Sequence, residues 1–150
     1  MKIRNLIPTN MTTLIKYSGS ANEKNVEELL QDTREWDKQL YISSEELTFL
    51  SQFLTADIFS REIPNLYDEL YNFSGILEGL KTDKIDLHQA ISNHKNDLNG
   101  MLECEDISCE SFYFSEHKKL DKKLEQFLVR FNTFQSNLFR FCTNKLRIAV

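Results

Sequence analysis

Apolar side chains recur along most of this chain in alternating steps of three and four residues. In the last third they fall at Leu120, Leu124, Phe127, Phe131, Phe134, Leu138 and Phe141, inside a stretch from Phe112 to Val150 with no Gly and no Pro. That spacing is the seam of a helix packed lengthwise against other helices. Leu128, Phe139 and Cys142 widen the seam to roughly 160° of the helix at about 100° per residue, more than one neighbour covers. An earlier stretch repeats the pattern at Val26, Leu29, Thr33, Trp36, Leu40, Ser43, Leu47, Leu50 and Leu54. A third runs Leu66, Leu70, Phe73, Leu77, Leu80, Lys84, Leu87, Ile91, His94, Leu98 and Met101. Three long helices are predicted.

Local signals place their ends. The first helix is expected from about Ala21, with Asn22 as N-cap and Glu23, Glu27 and Glu28 near its positive end. Ser43-Ser44-Glu45-Glu46 looks like a fresh capping box, yet the heptad phase passes through it without a slip, so the helix is expected to continue. Arg61 to Pro64 marks the next boundary, with Pro64 in the first turn of the second helix. Gly75 and Gly79 lie opposite the second seam, each costing roughly 1 kcal/mol relative to Ala. A break between Gly75 and Asp83 would make the bundle four-helical, with Thr82 or Asp83 as the new cap. Residues 103–111 are read as the loop before the last helix, and Gly100 suits the preceding helix end.

The seams close on each other as an all-α fold, an elongated antiparallel three-helix bundle about 50 Å long at 1.5 Å per residue. The first and last helices run parallel. With turns near 61–63 and 103–111, Trp36 is expected level with Leu87 and Phe127, Leu29 with His94 and Leu120, and Leu40 with Lys84 and Phe131. The layout, with a Trp in the first helix, resembles that of spectrin-type repeats, without any further motif to support it. Residues 1–20 stand outside the heptads as an N-terminal arm, ended by Ser18-Gly19-Ser20. Residues 21–150 form the bundle domain.

Composition narrows the class. Among 150 residues, 41% are hydrophobic and 27% charged, ordinary values for a folded domain. Four Gly and two Pro are few, which favours long helices over a turn-rich sheet. No run of about 18 apolar residues is present, and the first residues lack the apolar core of a signal peptide, so no membrane partner is expected. Three Cys is an odd count that argues against a closed disulfide framework. The cytoplasm is the expected compartment. Net charge is −5, but unevenly spread: −6 over residues 22–60 and +5 over residues 112–150. Acidic first and basic last helices suggest complementary edges of one interface. The acidic remainder opposes nucleic-acid binding by Lys118, Lys119, Lys122 and Lys123, so no nucleic-acid partner is expected.

The search for chemistry returns little. Cys104 and Cys109 sit in an acidic loop with His117 beyond it, but a second ligand pair for zinc is missing. They are read as free loop thiols, a mutual disulfide being possible in spacing but unsupported by the expected compartment. No Glu-x-x-His pair is present for a carboxylate-bridged metal centre. Nucleophile elbows and Gly-rich phosphate loops are likewise absent. His94, on the seam, is read as a core-edge residue with one hydrogen bond. His94 and His117 fall near the same bundle end, the one constellation to examine. The expectation is a non-enzymatic bundle without cofactor or metal, acting as scaffold, adaptor or inhibitor through a protein partner or self-association. Leu14, Ile15, Leu128, Phe139 and Cys142 are the candidate interaction surface. A metal- or ligand-binding bundle is the alternative.

Overall fold

A computed structural model describes residues 24–101, 103 and 107–147. The N-terminal arm at 1–20, including Leu14 and Ile15, lies outside the described residues, as does Cys104. Three helices follow one another: α1 (Val26–Thr55), α2 (Leu66–Met101) and α3 (Ile107–Cys142). The fold is an all-α three-helix bundle. The backbones of α1 and α2, and of α2 and α3, run close together, whereas those of α1 and α3 approach only marginally. Phe127 and Phe131 of α3 are fully buried in the main core that the three helices share.

The heptad reading holds nearly residue for residue. Every seam position of α1 from Leu29 to Leu54 is buried, including the small polar Thr33 and Ser43. On α2 the buried set contains His94 between Ile91 and Leu98, and only Phe73 and Lys84 among the seam positions are half-buried. Both long helices are continuous. α1 passes through Ser43-Ser44-Glu45-Glu46, and α2 passes through Gly75 and Gly79, so the four-helix arrangement does not occur. Both glycines face solvent, with nothing within 4 Å of a Cβ built on them.

The ends differ from expectation. Asn25, not Asn22, caps α1: its side chain accepts the Glu28 N–H at 2.8 Å, while its own N–H donates to Glu28 Oε1 at 3.1 Å. This is a reciprocal capping box. Pro64 lies before α2 rather than in its first turn, and Asn65 makes the bend with φ 60. α3 begins at Ile107, inside the stretch expected to be loop, and ends at Cys142, where its seam ends. Asn144, at φ 69, reverses the chain there, in the left-handed conformation that Asn tolerates beyond a helix end.

Register is the larger correction. His94 lies beside Trp36, not beside Leu29, so α1 sits one heptad further along α2 than the sequence suggested. The cause is the connection between them. After Thr55 the chain does not turn sharply but folds under the bundle, burying Phe59 against the main core with Leu66 and Leu70 of α2. The first turns of α2 therefore extend past the end of α1. The tail after α3 fastens this segment: Ser60 N–H donates to Lys145 O at 2.8 Å and Arg147 N–H to Ile58 O at 2.6 Å. Phe59 and Leu146 form an isolated bridge, and the Arg147 guanidinium pairs with the Asp57 carboxylate at 2.6 Å. Between α2 and α3 the change is under one turn, since His94 meets His117 rather than Leu120.

Candidate functional site

Towards the end where α1 begins and α2 finishes, the apolar core is interrupted by a polar layer. All three helices contribute to it. Thr33 and Asp32 come from α1, His94 from α2 and His117 from α3. Helical spacing sets them there: Thr33 occupies the seam between Leu29 and Trp36, and His94 the seam between Ile91 and Leu98. His117 lies three residues after Phe114 and three before Leu120, both buried. Thr33 satisfies itself by donating to the Leu30 carbonyl at 2.7 Å, so a small polar side chain enters the core without an orphaned hydroxyl.

The histidines and the aspartate form a chain. His94 Nε2 and His117 Nδ1 are 2.9 Å apart, and His117 Nε2 is 2.9 Å from Asp32 Oδ2. His94 and His117 are only 3% and 6% exposed, whereas Asp32 is half-buried and also pairs with Lys24 at 2.9 Å. Trp36 covers the chain, its ring 4.5 Å from His117 and 6.3 Å from His94 between centroids. Alongside, Lys95 of α2 pairs with Asp37 of α1 at 2.7 Å. The second Asp37 oxygen is buried without a hydrogen-bond partner.

Protonation states follow from donor and acceptor roles. Burial resists ionisation of Asp32, but hydrogen bonds from His117 and Lys24 outweigh it and hold the carboxyl below its usual range. An ionised carboxylate only accepts, so His117 Nε2 carries a hydrogen and donates. When both rings are neutral, His94 Nε2 then donates to His117 Nδ1. Burial, aided by the neighbouring His117, pushes the His94 pKa down to about 4 against the opposing pull of Asp97 and Glu116. This arrangement can hold and relay protons. It does not converge on a point: both His117 nitrogens are occupied, and among the described residues no three His, Cys, Asp or Glu side chains are placed to hold a metal ion.

The candidate residues named from sequence scatter. Cys142 is buried in the main core as a free thiol, four residues beyond the seam residue Leu138, so it belongs to the packing rather than to a surface. Burial raises its thiol pKa. Leu128 is half-buried against the same core. Phe139 alone of the described candidates is exposed. Cys109 is disulfide-bonded, which corrects the expectation of a free loop thiol and removes it as a thiolate ligand. Asp32 was missed altogether, because an Asp beside a seam position looks like any solvated helix carboxylate until the His opposite it is placed.

Sequence reasoning also missed an apolar strip on α1. Ile42 and Phe49, one heptad apart, are 52% and 61% exposed. The Phe49 ring stacks on Phe53 with centroids 6.2 Å apart, and Phe53 meets buried Phe59 edge-on at 5.5 Å. Aromatic contact thus runs from the surface into the core, and the bridge from Phe59 reaches part-exposed Leu146. Helix periodicity assigns Ile42 and Phe49 to the outer face, so only their neighbours reveal a patch. Among the described residues no helix is long and apolar enough to cross a membrane. Comparison with protein-family models, with curated proteins and with solved structures finds no match.

Proposed function

We propose that the protein is a non-enzymatic binding module, a scaffold, adaptor or inhibitor, that docks another protein or a second copy of itself on α1. The observation that supports this is the aromatic strip of Phe49 and Phe53, exposed at Phe49 and anchored in the core through Phe59, with exposed Ile42 one heptad earlier on the same face. Single exposed apolar side chains are ordinary on a protein surface, but an exposed aromatic ring held in place by its neighbours is the kind of anchor on which interface energy concentrates. A pre-ordered Phe loses little side-chain freedom on binding, which favours affinity. Phe139, exposed on α3 rather than α1, is a secondary contact. The cytoplasm, expected from composition, is not put forward as the compartment, because the Cys109 disulfide suits an oxidising one.

The test compares wild type with an Ile42→Asp/Phe49→Asp double variant. Solution mass by light scattering separates self-association, near twice 17.7 kDa, from a monomer. Cross-linking in the source cells then compares what each form captures. Loss of the dimer, or of a specific cross-linked species, in the double variant with unchanged circular dichroism supports docking on α1. Identical mass and identical cross-linked species for both forms would reject it.

A further inference from the structure

We propose that the Asp32–His117–His94 chain is an acid-sensitive latch, holding shut the bundle end formed by the starts of α1 and α3 and the finish of α2, and releasing it when His94 takes a proton. The layout of the core makes such a local release feasible. The polar layer splits the core in two. On one side lies the main cluster, reaching as far as Trp36, Ile91 and Leu120. Beyond the layer lies a separate small cluster of Leu29, Leu98, Met101 and Phe114. Opening that end exposes four buried apolar side chains and leaves the main cluster, and the Phe59–Leu146 strap at the opposite end, in place. Among the described residues, α1 and α3, whose backbones barely approach one another, are tied at this end by the small cluster, by Asp32–His117 and by Trp36 against His117.

Proton counting gives the latch its trigger. In the neutral chain each contact has one hydrogen: His94 Nε2 donates to His117 Nδ1, and His117 Nε2 donates to Asp32. A first proton is absorbed without breaking anything. The Nε2–Nδ1 contact still holds one hydrogen whichever ring carries the charge, and His117 Nε2 still donates to Asp32. A second proton, which leaves His94 charged beside a charged partner, sets two N–H groups head to head at 2.9 Å and places two cations side by side in the core. The contact then has no acceptor. Among the described residues, charges facing the layer are Lys24 just before α1, Asp32 and Asp37 from α1, Lys95 and Asp97 from α2, and Glu116 from α3. Lys24 and Lys95 are committed to Asp32 and Asp37. Asp97 and Glu116 favour the His94 cation but do not overcome burial and His117, which leave its pKa near 4 against an ordinary 6.5. That difference corresponds to about a 300-fold shift of the closed-to-open equilibrium once pH has fallen through both values.

Trp36, the only Trp in the chain, sits on the latch and reports it. The experiment follows the wavelength of its emission maximum, which reads water at the indole, together with far-ultraviolet circular dichroism, from pH 7.5 to pH 3 on the full chain. Wild type is expected to red-shift with a midpoint between pH 4 and 6.5 while most helical signal persists. Emission that stays fixed until the helical signal collapses would overturn the latch. His94→Gln supplies an amide N–H to His117 and cannot titrate, so its red shift moves below pH 4; an unchanged midpoint would overturn the proposal. Asp32→Asn removes the carboxylate that stabilises the first proton, so even one buried cation favours opening and the midpoint rises. That second variant decides the question if His94→Gln fails to fold, and a midpoint equal to or below that of wild type would reject the latch.

Discussion

Replacing Phe59 with Ala probes the segment that sets the register of the bundle. Phe59 belongs to no helix, yet it is 1% exposed and packs edge-on against Phe53 at 5.5 Å. Truncating a buried Phe costs about 3–5 kcal/mol, the spread reflecting how far the surroundings collapse into the cavity. Collapse here is limited on one side by the backbone bonds Ser60 to Lys145 and Arg147 to Ile58. It is easier on the other, where Phe53 is only half-buried. A loss of about 3 kcal/mol is therefore expected. With a urea slope of about 2 kcal/mol/M, the midpoint falls by about 1.5 M. Urea unfolding followed by circular dichroism measures it, with Phe139→Ala as the control. Phe139 is exposed, and its truncation should change stability by no more than about 0.5 kcal/mol. If Phe59→Ala shifts the midpoint no more than Phe139→Ala, the segment after α1 does not close the core and the register argument fails.

Three further outcomes follow from the same structure. The folded-state pKa of His94, lowered to about 4, means the unfolded chain binds a proton there first, so stability falls as pH drops from about 6.5 to about 4. The loss is up to about 3 kcal/mol at 1.36 kcal/mol per unit, and urea midpoints at pH 7 and pH 4 should converge in His94→Gln relative to wild type. Asp32, whose pKa is lowered, contributes stability above the usual carboxylate range that is lost only at still lower pH. Gly75→Ala and Gly79→Ala, each with open space at the new Cβ and no positive φ, should each stabilise by about 0.5–1 kcal/mol in thermal or urea unfolding. Cys142, buried and with its thiol pKa raised, should react with a thiol reagent in the native protein only at the rate of unfolding, and promptly in denaturant.

The seams were legible because each long helix keeps one face inward for its whole length. Thr33, Ser43 and His94 occupy the positions the period assigns to them despite their polarity. Register was not legible, because sliding α1 by a heptad returns every seam residue to the seam. It was decided by Phe59 and Ile58, apolar residues in a stretch too short to show a period. Helix ends were missed where a local bond outbid composition, as Glu28 does in selecting Asn25 over Asn22. Half of the polar layer could be read, since His94 and His117 share one end of the bundle. Asp32 could not, because its role exists only once α3 lies against α1. The surface patch was sought on α3, where the Phe-rich stripe is wide, but Cys142 and Leu128 spend that width on packing. The exposed strip lies on α1 instead.

The most direct measurement on the polar layer is a long-range nitrogen-15 spectrum of the histidine rings at neutral pH, with detection of coupling across hydrogen bonds. The structure predicts a coupling between His94 Nε2 and His117 Nδ1, and a protonated His117 Nε2 held towards Asp32. Histidine rings that show no mutual coupling and average freely between tautomers would contradict the layer, and with it the latch.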